Sequence, residues 1–182
     1  MRDIDDRELL ALCRDDHPEA FNELVRRYQE RIYRVLLRLV GDRDDALDLA
    51  QDVFFRAWKG IRDFRGDAQV FTWLYRIAMN LGLNHIRKRK LRSALPLHTL
   101  QNEEPAHPEN PQHEIERDEI RELIERAVEK LPAKQRAVFI LRYYDDMPYE
   151  QIASILNTSV GGLKANYFHA VQKLRNSLHH AL

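Results

Sequence analysis

The most regular alternation of apolar and polar positions lies between residues 148 and 178 and predicts two helices joined by a tight turn. Pro148 suits the first position of the first helix, since its missing N–H would have no partner there. The apolar face of that helix repeats at helical spacing through Tyr149, Ile152, Ala153 and Leu156. Asn157 then tolerates a left-handed backbone, and Ser159 is a good N-cap. The second helix has its apolar positions at Leu163, Tyr167, Ala170, Val171, Leu174 and Leu178.

A short helix, a tight turn and a longer helix form a geometry that enters the major groove of DNA, with the outward face of the second helix against the bases. The candidate contact residues on that face are Ser159, Lys164, Ala165, Asn166, Phe168, His169 and Lys173. After Glu150 the chain has no acidic residue, whereas a merely solvated helix usually mixes both signs of charge. Periodicity alone fits an ordinary helical hairpin equally well, and the one-sided charge favours a phosphate-bearing partner.

Apolar periodicity of the same kind predicts four helices in residues 5–92 and two more between residue 114 and the helical pair. Their boundaries are marked by caps, prolines and glycines, at Asp5 or Asp6, Pro18, Gly41, Asp42, Gly60, Asp67 and Pro132. The fourth helix is predicted to end at Arg92 and the fifth at Lys130. The chain is therefore predicted to be all-α, with one helical domain in residues 1–92 and a second in residues 114–182.

Residues 93–113 separate these predicted domains and are an acidic, proline-rich linker. Four of the seven prolines of the chain lie here, no helical periodicity survives, and Lys and Arg are absent, which is typical of a semi-extended tether. The formal net charge of +0 is thus an average over opposed blocks, because residues 68–102 hold six basic residues and no acidic one. Such segregation points to partners of opposite charge at different places on the chain.

The third predicted helix, from Arg43 to about Lys59, carries an acidic outer face. Asp44 and Asp45 lie in its first turn, where a carboxylate favours the helix dipole and needs no other role. Beyond that turn the face continues through Asp48, Gln51, Asp52 and Phe55. An acidic patch with an exposed aromatic, here Phe55 or Trp58, is typical of a protein interface; a solvated face is the alternative.

A polar stripe follows the fourth predicted helix, from about residue 68 to residue 92, and repeats every four residues at Arg76, Asn80, Asn84 and Lys88. Because Asn is a poor helix former, two of them on one stripe indicate contacts that offset their propensity cost. Gly82 between them would let another backbone approach closely. The helix ends in four consecutive bases, Arg87 to Lys90, which exceeds what its own dipole needs. Nucleic acid is the predicted partner of this stripe.

The loop between the third and fourth helices places an aromatic among basic residues, at Arg62, Phe64 and Arg65. An exposed ring flanked by arginines could stack on an unpaired base. The alternative is that Phe64 packs into the core and the arginines are solvated.

Several other functions lack support in the sequence. Cys13 is the only cysteine, so it forms no intramolecular disulfide, fits a reducing cytoplasm and is predicted to be a small buried hydrophobe. No apolar run approaches membrane-spanning length, and the acidic N-terminus does not fit a signal peptide; we therefore expect a cytoplasmic protein that is not inserted in a membrane.

The eight histidines form no recognised metal-ligand spacing with cysteine or carboxylate residues. Three of them, His98, His107 and His113, lie in the predicted linker. Gly161 and Gly162 match no phosphate-cradling loop, and no nucleophile with an orienting base appears. No metal site, no cofactor and no enzymatic activity are predicted.

Two separate motifs resemble one family. Residues 149–153 (YEQIA) and 159–164 (SVGGLK) are similar to region 4 of bacterial sigma factors, specifically the extracytoplasmic-function (ECF) group. Residues 45–54 (DALDLAQDVF) and 71–80 (FTWLYRIAMN) resemble region 2 of the same group. Together they cover most of the chain in the order of the family, with a linker between them, which makes the resemblance specific.

The resemblance implies a transcription initiation factor that binds core RNA polymerase. It implies that the acidic helix contacts the clamp helices of the largest polymerase subunit, that the polymerase flap is a further contact, and that the linker threads channels of the enzyme. Region 2 would capture a base flipped from the melted −10 element of the promoter, with Arg87 on its single-stranded path, and region 4 would bind the −35 element. An anti-sigma factor is a further partner that the resemblance allows.

Two rival functions are carried forward. A homodimeric helix-turn-helix regulator acting without polymerase would use only the C-terminal helical pair and leaves the basic stripe of residues 76–88 unexplained. A protein–protein adaptor would use the N-terminal helices alone. The chain also departs from many family members at the recognition helix, where Ala165, Asn166, His169 and Val171 replace a hydroxyl residue and several arginines. The resemblance therefore implies neither a particular −35 sequence nor how much affinity region 4 supplies.

Overall fold

The structure is a computed structural model that describes residues 4–15, 17–64, 69–93 and 115–179, with side chains from residue 122 onward in the last range. Every regular element in these ranges is helical, as predicted. The helices are α1 (Asp6–Arg14), α2 (Pro18–Val40), α3 (Arg43–Gly60), α4 (Val70–Ser93), α5 (Ile115–Glu129), α6 (Ala133–Phe139), a π-helical turn (Ile140–Tyr144), α7 (Tyr149–Leu156) and α8 (Val160–His179).

The predicted helix boundaries are largely confirmed by cap geometry. The Asp5 carboxylate accepts hydrogen bonds from the backbone N–H groups of Arg7 and Glu8 at the start of α1. Gly41 ends α2 with φ 76°, a left-handed conformation that glycine adopts without a steric penalty. Asp42 accepts from the Asp45 N–H at the start of α3. The predicted cap at Asp67 lies outside the described residues.

Helices α1 to α4 form a bundle around α2, which contacts the other three. The inward side of α2 is fully buried and presents Leu24, Ile32, Val35, Leu36 and Leu39 to its neighbours. Gly82 lies where α4 crosses α2, and a Cβ added there would come within 2.6 Å of the Leu39 side chain. The expectation that Gly82 admits a partner's backbone is therefore wrong, since its lack of a side chain serves the packing of α4 on α2.

Helices α5 to α8 form the C-terminal helical unit. Their own apolar cluster comprises Ala127, Val128, Leu131, Phe139, Ala170 and Leu174. Two details differ from the sequence-based prediction. Pro148 is the N-cap of α7, one position before its first helical residue. Val171, predicted to be buried, is 41% exposed because α8 turns its inward face along Leu163, Ala170 and Leu174.

The chain after α6 widens into the π-helical turn, where the Asp145 N–H donates to the Ile140 carbonyl five residues back. The apolar pattern did not predict this turn. This turn buries Ile140 and Leu141 in an apolar cluster that also contains the core of α1 to α4. Met147, Ile152 and Ile155 belong to the same cluster, and α7 packs directly on α4. The two helical units thus share one continuous core.

Candidate polymerase and nucleic-acid interfaces

The acidic face of α3 is exposed along its length. Asp48, Gln51 and Asp52 are exposed, and Phe55 is 57% exposed with the Lys59 ammonium 4.2 Å from its ring centroid. Sequence reasoning missed Leu47, which is 49% exposed. The spacing of Leu47, Gln51 and Phe55 at i, i+4 and i+8 could have revealed it. We call the surface formed by Leu47, Asp48, Gln51, Asp52 and Phe55 the α3 face.

The α3 face is held rigidly by contacts on the other side of the helix. Ala46, Val53 and Ala57 are fully buried beneath it. Trp58, although 40% exposed, packs edge-on against Phe21 with the ring centroids 4.9 Å apart. The face is therefore a preformed mixture of acidic and apolar groups, which is a composition suited to binding a protein.

Asp45 has a structural role that sequence reasoning did not assign. Its carboxylate lies 2.9 Å from Nε2 of His85 and 3.9 Å from the Arg89 guanidinium, both on α4. It therefore links α3 to α4 in addition to favouring the helix dipole. No local pattern reveals this contact, because His85 is 40 positions away along the chain.

The polar stripe of α4 lies on one exposed side of the helix. Asn80, Asn84, Arg87 and Lys88 are exposed, and an Arg87 N–H donates to Oδ1 of Asn84 over 3.4 Å. Arg76 differs, since its guanidinium donates to both the carbonyl oxygen and the hydroxyl of Ser154 on α7, each over 3.2 Å. Three stripe residues, Asn80, Asn84 and Lys88, are therefore exposed with Arg87 beside them, and the fourth, Arg76, binds the C-terminal unit.

Phe64 in the loop after α3 is stacked within the protein. Its ring lies nearly parallel to that of Trp73, with an interplanar angle of 20° and centroids 4.5 Å apart. The Arg14 guanidinium donates to the Phe64 carbonyl oxygen. The arrangement matches the alternative of a packed ring, and Phe64 is half-buried. Arg62 is exposed, and Arg65 lies outside the described residues.

The helix-turn-helix forms as predicted. Asn157 ends α7 with φ 49°, in the left-handed region, and its N–H donates to the Ala153 carbonyl. The Ser159 hydroxyl accepts from the Gly162 N–H over 3.1 Å, so Ser159 is the N-cap of α8. This turn sets the direction in which α8 leaves α7.

The outward face of α8 presents most of the predicted contact residues to solvent, namely Lys164, Ala165, Phe168, His169 and Lys173. Phe168 is 58% exposed, and its ring centroid lies 5.8 Å from that of His169. Asn166 is half-buried, and its amide donates to the Gly162 carbonyl over 2.9 Å. The structure thus brings together an aromatic, an imidazole and two flanking lysines, which we call the α8 face.

Tyr149, at the start of α7, was not predicted as part of this surface. The Lys164 ammonium lies 5.8 Å and the Arg142 guanidinium 5.6 Å from its ring centroid. The tyrosine thereby gathers two cations at the edge of the α8 face. Cations grouped beside a helix-turn-helix are suited to contacting the DNA backbone.

Comparison with known proteins identifies the family. The Sigma-70 region 2 model matches residues 24–92, and a Sigma-70 region 4 model matches residues 121–174. The RNA polymerase sigma-H factor of Pseudomonas aeruginosa is 32% identical over 180 residues, covering 95% of this chain and 93% of that protein. The ECF RNA polymerase sigma-E factor of Escherichia coli is 31% identical over 182 residues, covering 96% and 95%. The chain belongs to the ECF group of sigma-70 factors.

Solved structures agree with this sigma factor in fold. CnrH, in complex with the cytosolic domain of CnrY, has a TM-score of 0.70 and 24% identity, covering 96% of this chain and 97% of that one. The sigma factor RpoE of Bartonella quintana, in complex with the anti-sigma factor NepR, has a TM-score of 0.65 and 22% identity, covering 87% and 96%. At these identities the likeness concerns the fold alone.

Membership of the family assigns the chain to promoter-specific transcription initiation with RNA polymerase, and the rival regulator and adaptor are not favoured. The region 2 match spans most of α2 together with α3 and α4, and the region 4 match ends within α8. Both candidate DNA surfaces and the α3 face therefore lie within matched regions. In the described ranges, no helix is both long and apolar enough to cross a membrane, and no three His, Cys, Asp or Glu residues group as metal ligands.

Proposed function

We propose that this sigma factor binds core polymerase through the α3 face, holds the melted −10 element along α4, and reads the −35 element with the α8 face. The observation that carries the proposal is the presence of two separate, exposed, DNA-suited faces on one chain, beside a rigid acidic face of different chemistry. A regulator acting without polymerase would use only one of these three surfaces.

The α3 face supports binding to the clamp helices of the largest polymerase subunit. Asp48 and Asp52 are exposed on α3, as is Phe55 one turn further along the helix. Carboxylates at the rim of an aromatic anchor steer a basic partner and fix its register. The polymerase flap remains a proposed contact of region 4.

The α4 stripe supports capture of single-stranded DNA. Asn80 and Asn84 can donate and accept hydrogen bonds at base edges. Arg87 and Lys88 lie next to them on α4 and can bind the phosphate backbone of the same strand. Phe64 is the proposed base-stacking residue, and a flipped base would have to join or replace its stack on Trp73. Arg62 and Arg65 would flank that base.

The α8 face supports reading of a duplex. Phe168 and His169 are central and exposed, so they are proposed to reach base edges, whereas Lys164 and Lys173 flank them and are proposed to contact phosphates. Ser159, as the N-cap, would present the first N–H groups of α8 to a phosphate. Asn166 is held by its own helix, and Ala165 offers a small apolar contact.

Further parts of the proposal concern where the protein acts, whether it catalyses a reaction and which regulatory partner it has. We infer that it acts in the cytoplasm, where core polymerase is found, and that it catalyses no reaction of its own. The Bartonella relative is solved with an anti-sigma factor, and we propose a partner of the same class for this chain.

The decisive experiment is binding and transcription with purified core polymerase. Reversing Asp48→Lys and Asp52→Lys together should abolish co-purification with core polymerase and promoter-dependent transcription, while the circular-dichroism spectrum stays helical. The matched control reverses two exposed acids of α1 and α2, Glu8→Lys and Glu19→Lys, which makes the same change in net charge away from the α3 face. Retained binding by the Asp48/Asp52 variant at moderate salt would remove α3 from the interface.

A further inference from the structure

The N-terminal helix α1 is fixed to the core of the first bundle, although it precedes the Sigma-70 region 2 match, which begins at residue 24. Three residues of its inward side are buried in the main apolar cluster, namely Leu9, Leu10 and Cys13. At its start, the Asp6 carboxylate accepts hydrogen bonds from the Tyr28 hydroxyl and from the Arg27 guanidinium, the latter over 2.9 Å. These contacts with α2 fix the position of the C-terminal end of α1.

The last residue of α1, Arg14, reaches the loop that follows α3. Its side chain is exposed, and its guanidinium donates to the backbone carbonyl oxygen of Phe64, 50 positions further along the chain. A cation in the last turn of a helix favours the helix dipole, but that effect needs no partner on another segment. Because a hydrogen bond from a charged donor is stronger than one between neutral groups, Arg14 ties the backbone of this loop to α1.

Phe64 is held at two further points. The backbone N–H groups of Asp63 and Phe64 both donate to the Gly60 carbonyl, over 3.2 and 3.0 Å, in a turn at the end of α3. The Phe64 ring is half-buried and stacks on Trp73 of α4. The backbone of Phe64 is thus hydrogen-bonded at its N–H and at its carbonyl oxygen, whereas its ring is held by stacking.

This division between backbone and ring suits a residue that must exchange stacking partners. A flipped base has to join or replace the stack of Phe64 on Trp73, so the ring has to turn about its χ1 bond while the loop stays in place. Hydrogen bonds to the backbone leave that rotation free. A loop without the Arg14 contact would have to be ordered when the base binds, and that ordering would lower the affinity for the base.

We propose that α1 takes part in −10 recognition, with Arg14 as the positioning residue that holds Phe64 ready to stack on the flipped base. This inference rests on the function proposed above for Phe64. Since Arg14 binds the loop backbone, its effect on DNA binding should pass through Phe64. The other use of an exposed arginine is a direct phosphate contact, which would strengthen the binding of every strand alike.

Binding of the reconstituted holoenzyme to single-stranded oligonucleotides with the −10 sequence of a promoter that it transcribes separates these two roles. An abasic site placed at each position in turn identifies the flipped base as the one whose removal weakens binding most. The Kd of that abasic strand should exceed the Kd of the intact strand by about tenfold, because the base loses its stack on an aromatic ring. We call this quotient the base ratio.

Three variants show whether the arginine acts through the phenylalanine. Phe64→Ala should abolish the base ratio, and Arg14→Ala should lower it roughly threefold, as expected for the loss of one hydrogen bond. The double variant should bind no more weakly than Phe64→Ala alone, because changes that act through one residue are not additive.

Two further variants are controls. Arg14→Lys retains a cationic donor and should keep most of the base ratio. Arg7→Ala removes the same type of side chain from another exposed position of α1 and should leave the base ratio unchanged. All variants should keep a helical circular-dichroism spectrum and co-purify with core polymerase.

Two results would overturn the role of Arg14. If Arg14→Ala weakened the abasic and intact strands equally, or if its loss added to that of Phe64→Ala, Arg14 would be a phosphate contact and not a positioning residue. If Arg14→Ala kept the wild-type base ratio while Phe64→Ala lost it, Arg14 would have no part in recognition, and the proposed function of Phe64 would stand.

Fluorescence of the free chain gives a readout that does not depend on DNA. In a Trp58→Phe background Trp73 is the remaining tryptophan, and acrylamide quenching measures how well Phe64 covers its ring. Arg14→Ala should raise the quenching constant toward that of Phe64→Ala, whereas Arg7→Ala should not. Unchanged quenching in Arg14→Ala would contradict the anchoring of the loop. Raised quenching without any base ratio in the wild-type holoenzyme would refute the proposed function of Phe64, and with it the recognition role of Arg14, while the anchor itself would stand.

Discussion

The two helices proposed to contact DNA differ in how much of their surface the protein already uses. On α4, Arg76 is bonded to Ser154, Arg87 to Asn84, and the nearby Phe64 is stacked on Trp73. On α8, the side chains of Lys164, Phe168, His169 and Lys173 are exposed. The α4 face is partly engaged in hydrogen bonds and stacking within the protein, and the α8 face is exposed, with Lys164 beside the Tyr149 ring at its edge.

This difference matches the form of DNA that each face is proposed to bind. A duplex is a regular partner, and a rigid helix can dock in its groove without rearranging. A melted strand must be captured as its bases leave the stack, and stacking surfaces for those bases are hydrophobic enough to pack internally when DNA is absent. Internal contacts must therefore rearrange on α4, which is proposed to bind the melted strand, and not on α8, which is proposed to bind the duplex.

The largest effect is expected from removing the outward polar groups of α4. Alanine at Asn80, Asn84 and Arg87 together should reduce open-complex formation by about a hundredfold, since three hydrogen-bonding contacts of about 1 kcal/mol each are lost. A promoter with a pre-melted −10 bubble should recover only part of the loss. Permanganate reactivity of unpaired thymines measures the melted fraction.

The matched control for this triple variant carries alanine at three exposed polar positions of α1 and α2, which are Arg7, Asn22 and Gln29. It should melt the promoter normally. Wild-type permanganate reactivity in the α4 variant would show that the stripe does not contact the melted strand, and the contrast between α4 and α8 would then lose its basis.

A smaller effect is expected at the centre of the α8 face. A base contact is worth roughly 1–3 kcal/mol of discrimination, so His169→Ala should relax the preference at one or two −35 positions by about tenfold. Phe168→Ala should cost promoters with a thymine methyl at the contacted position most. Selection from a randomised −35 library by the reconstituted holoenzyme measures both. A selected motif that both variants leave intact would show that the exposed rings do not read bases.

Lys164→Ala should have a smaller and sequence-independent effect. A phosphate contact carries no sequence information, so all promoters should weaken alike, and the slope of log K against log salt should become shallower by about one unit. Binding measured at several salt concentrations on two different −35 sequences checks this. Lys134→Ala, on α6 and also exposed, is the control and should leave the slope unchanged. A changed motif would reassign Lys164 to base reading.

The smallest effect concerns the pH dependence of stability and involves Asp145. Burial raises the pKa of Asp145, which faces Tyr75 of α4 and Arg31, Arg34 and Arg38 of α2. A raised pKa means that the protonated form is favoured in the folded protein, so this contribution to stability is complete at low pH and is lost as pH rises through the raised value. Thermal midpoints measured between about pH 4 and pH 7 should therefore fall less steeply with rising pH in Asp145→Asn than in the wild type. Parallel curves would contradict the assignment.

Much of the fold could be predicted because the relevant interactions are local. The caps at Asp5, Asp42 and Ser159 and the left-handed residues Gly41 and Asn157 act within one turn of chain, so their residue types alone indicate them. Helical spacing likewise placed the polar stripe of α4 and the outward face of α8, because residues three and four apart share a face whatever the helix packs against.

Which side chains contact each other across separate segments depended on the tertiary structure. Arg136 donates to the Leu39 carbonyl from 97 positions away, Arg76 donates to the Ser154 carbonyl, and the Phe64 ring stacks on Trp73. None of these pairs has a spacing that a sequence pattern can express, since each forms only after separate segments of the chain have packed together. The same packing exposed Val171 and formed the π-helical turn. The sequence by itself therefore determined the helices and the chemistry of their faces, and tertiary packing decided which of those faces are free for a partner, because burial depends on contacts between distant segments.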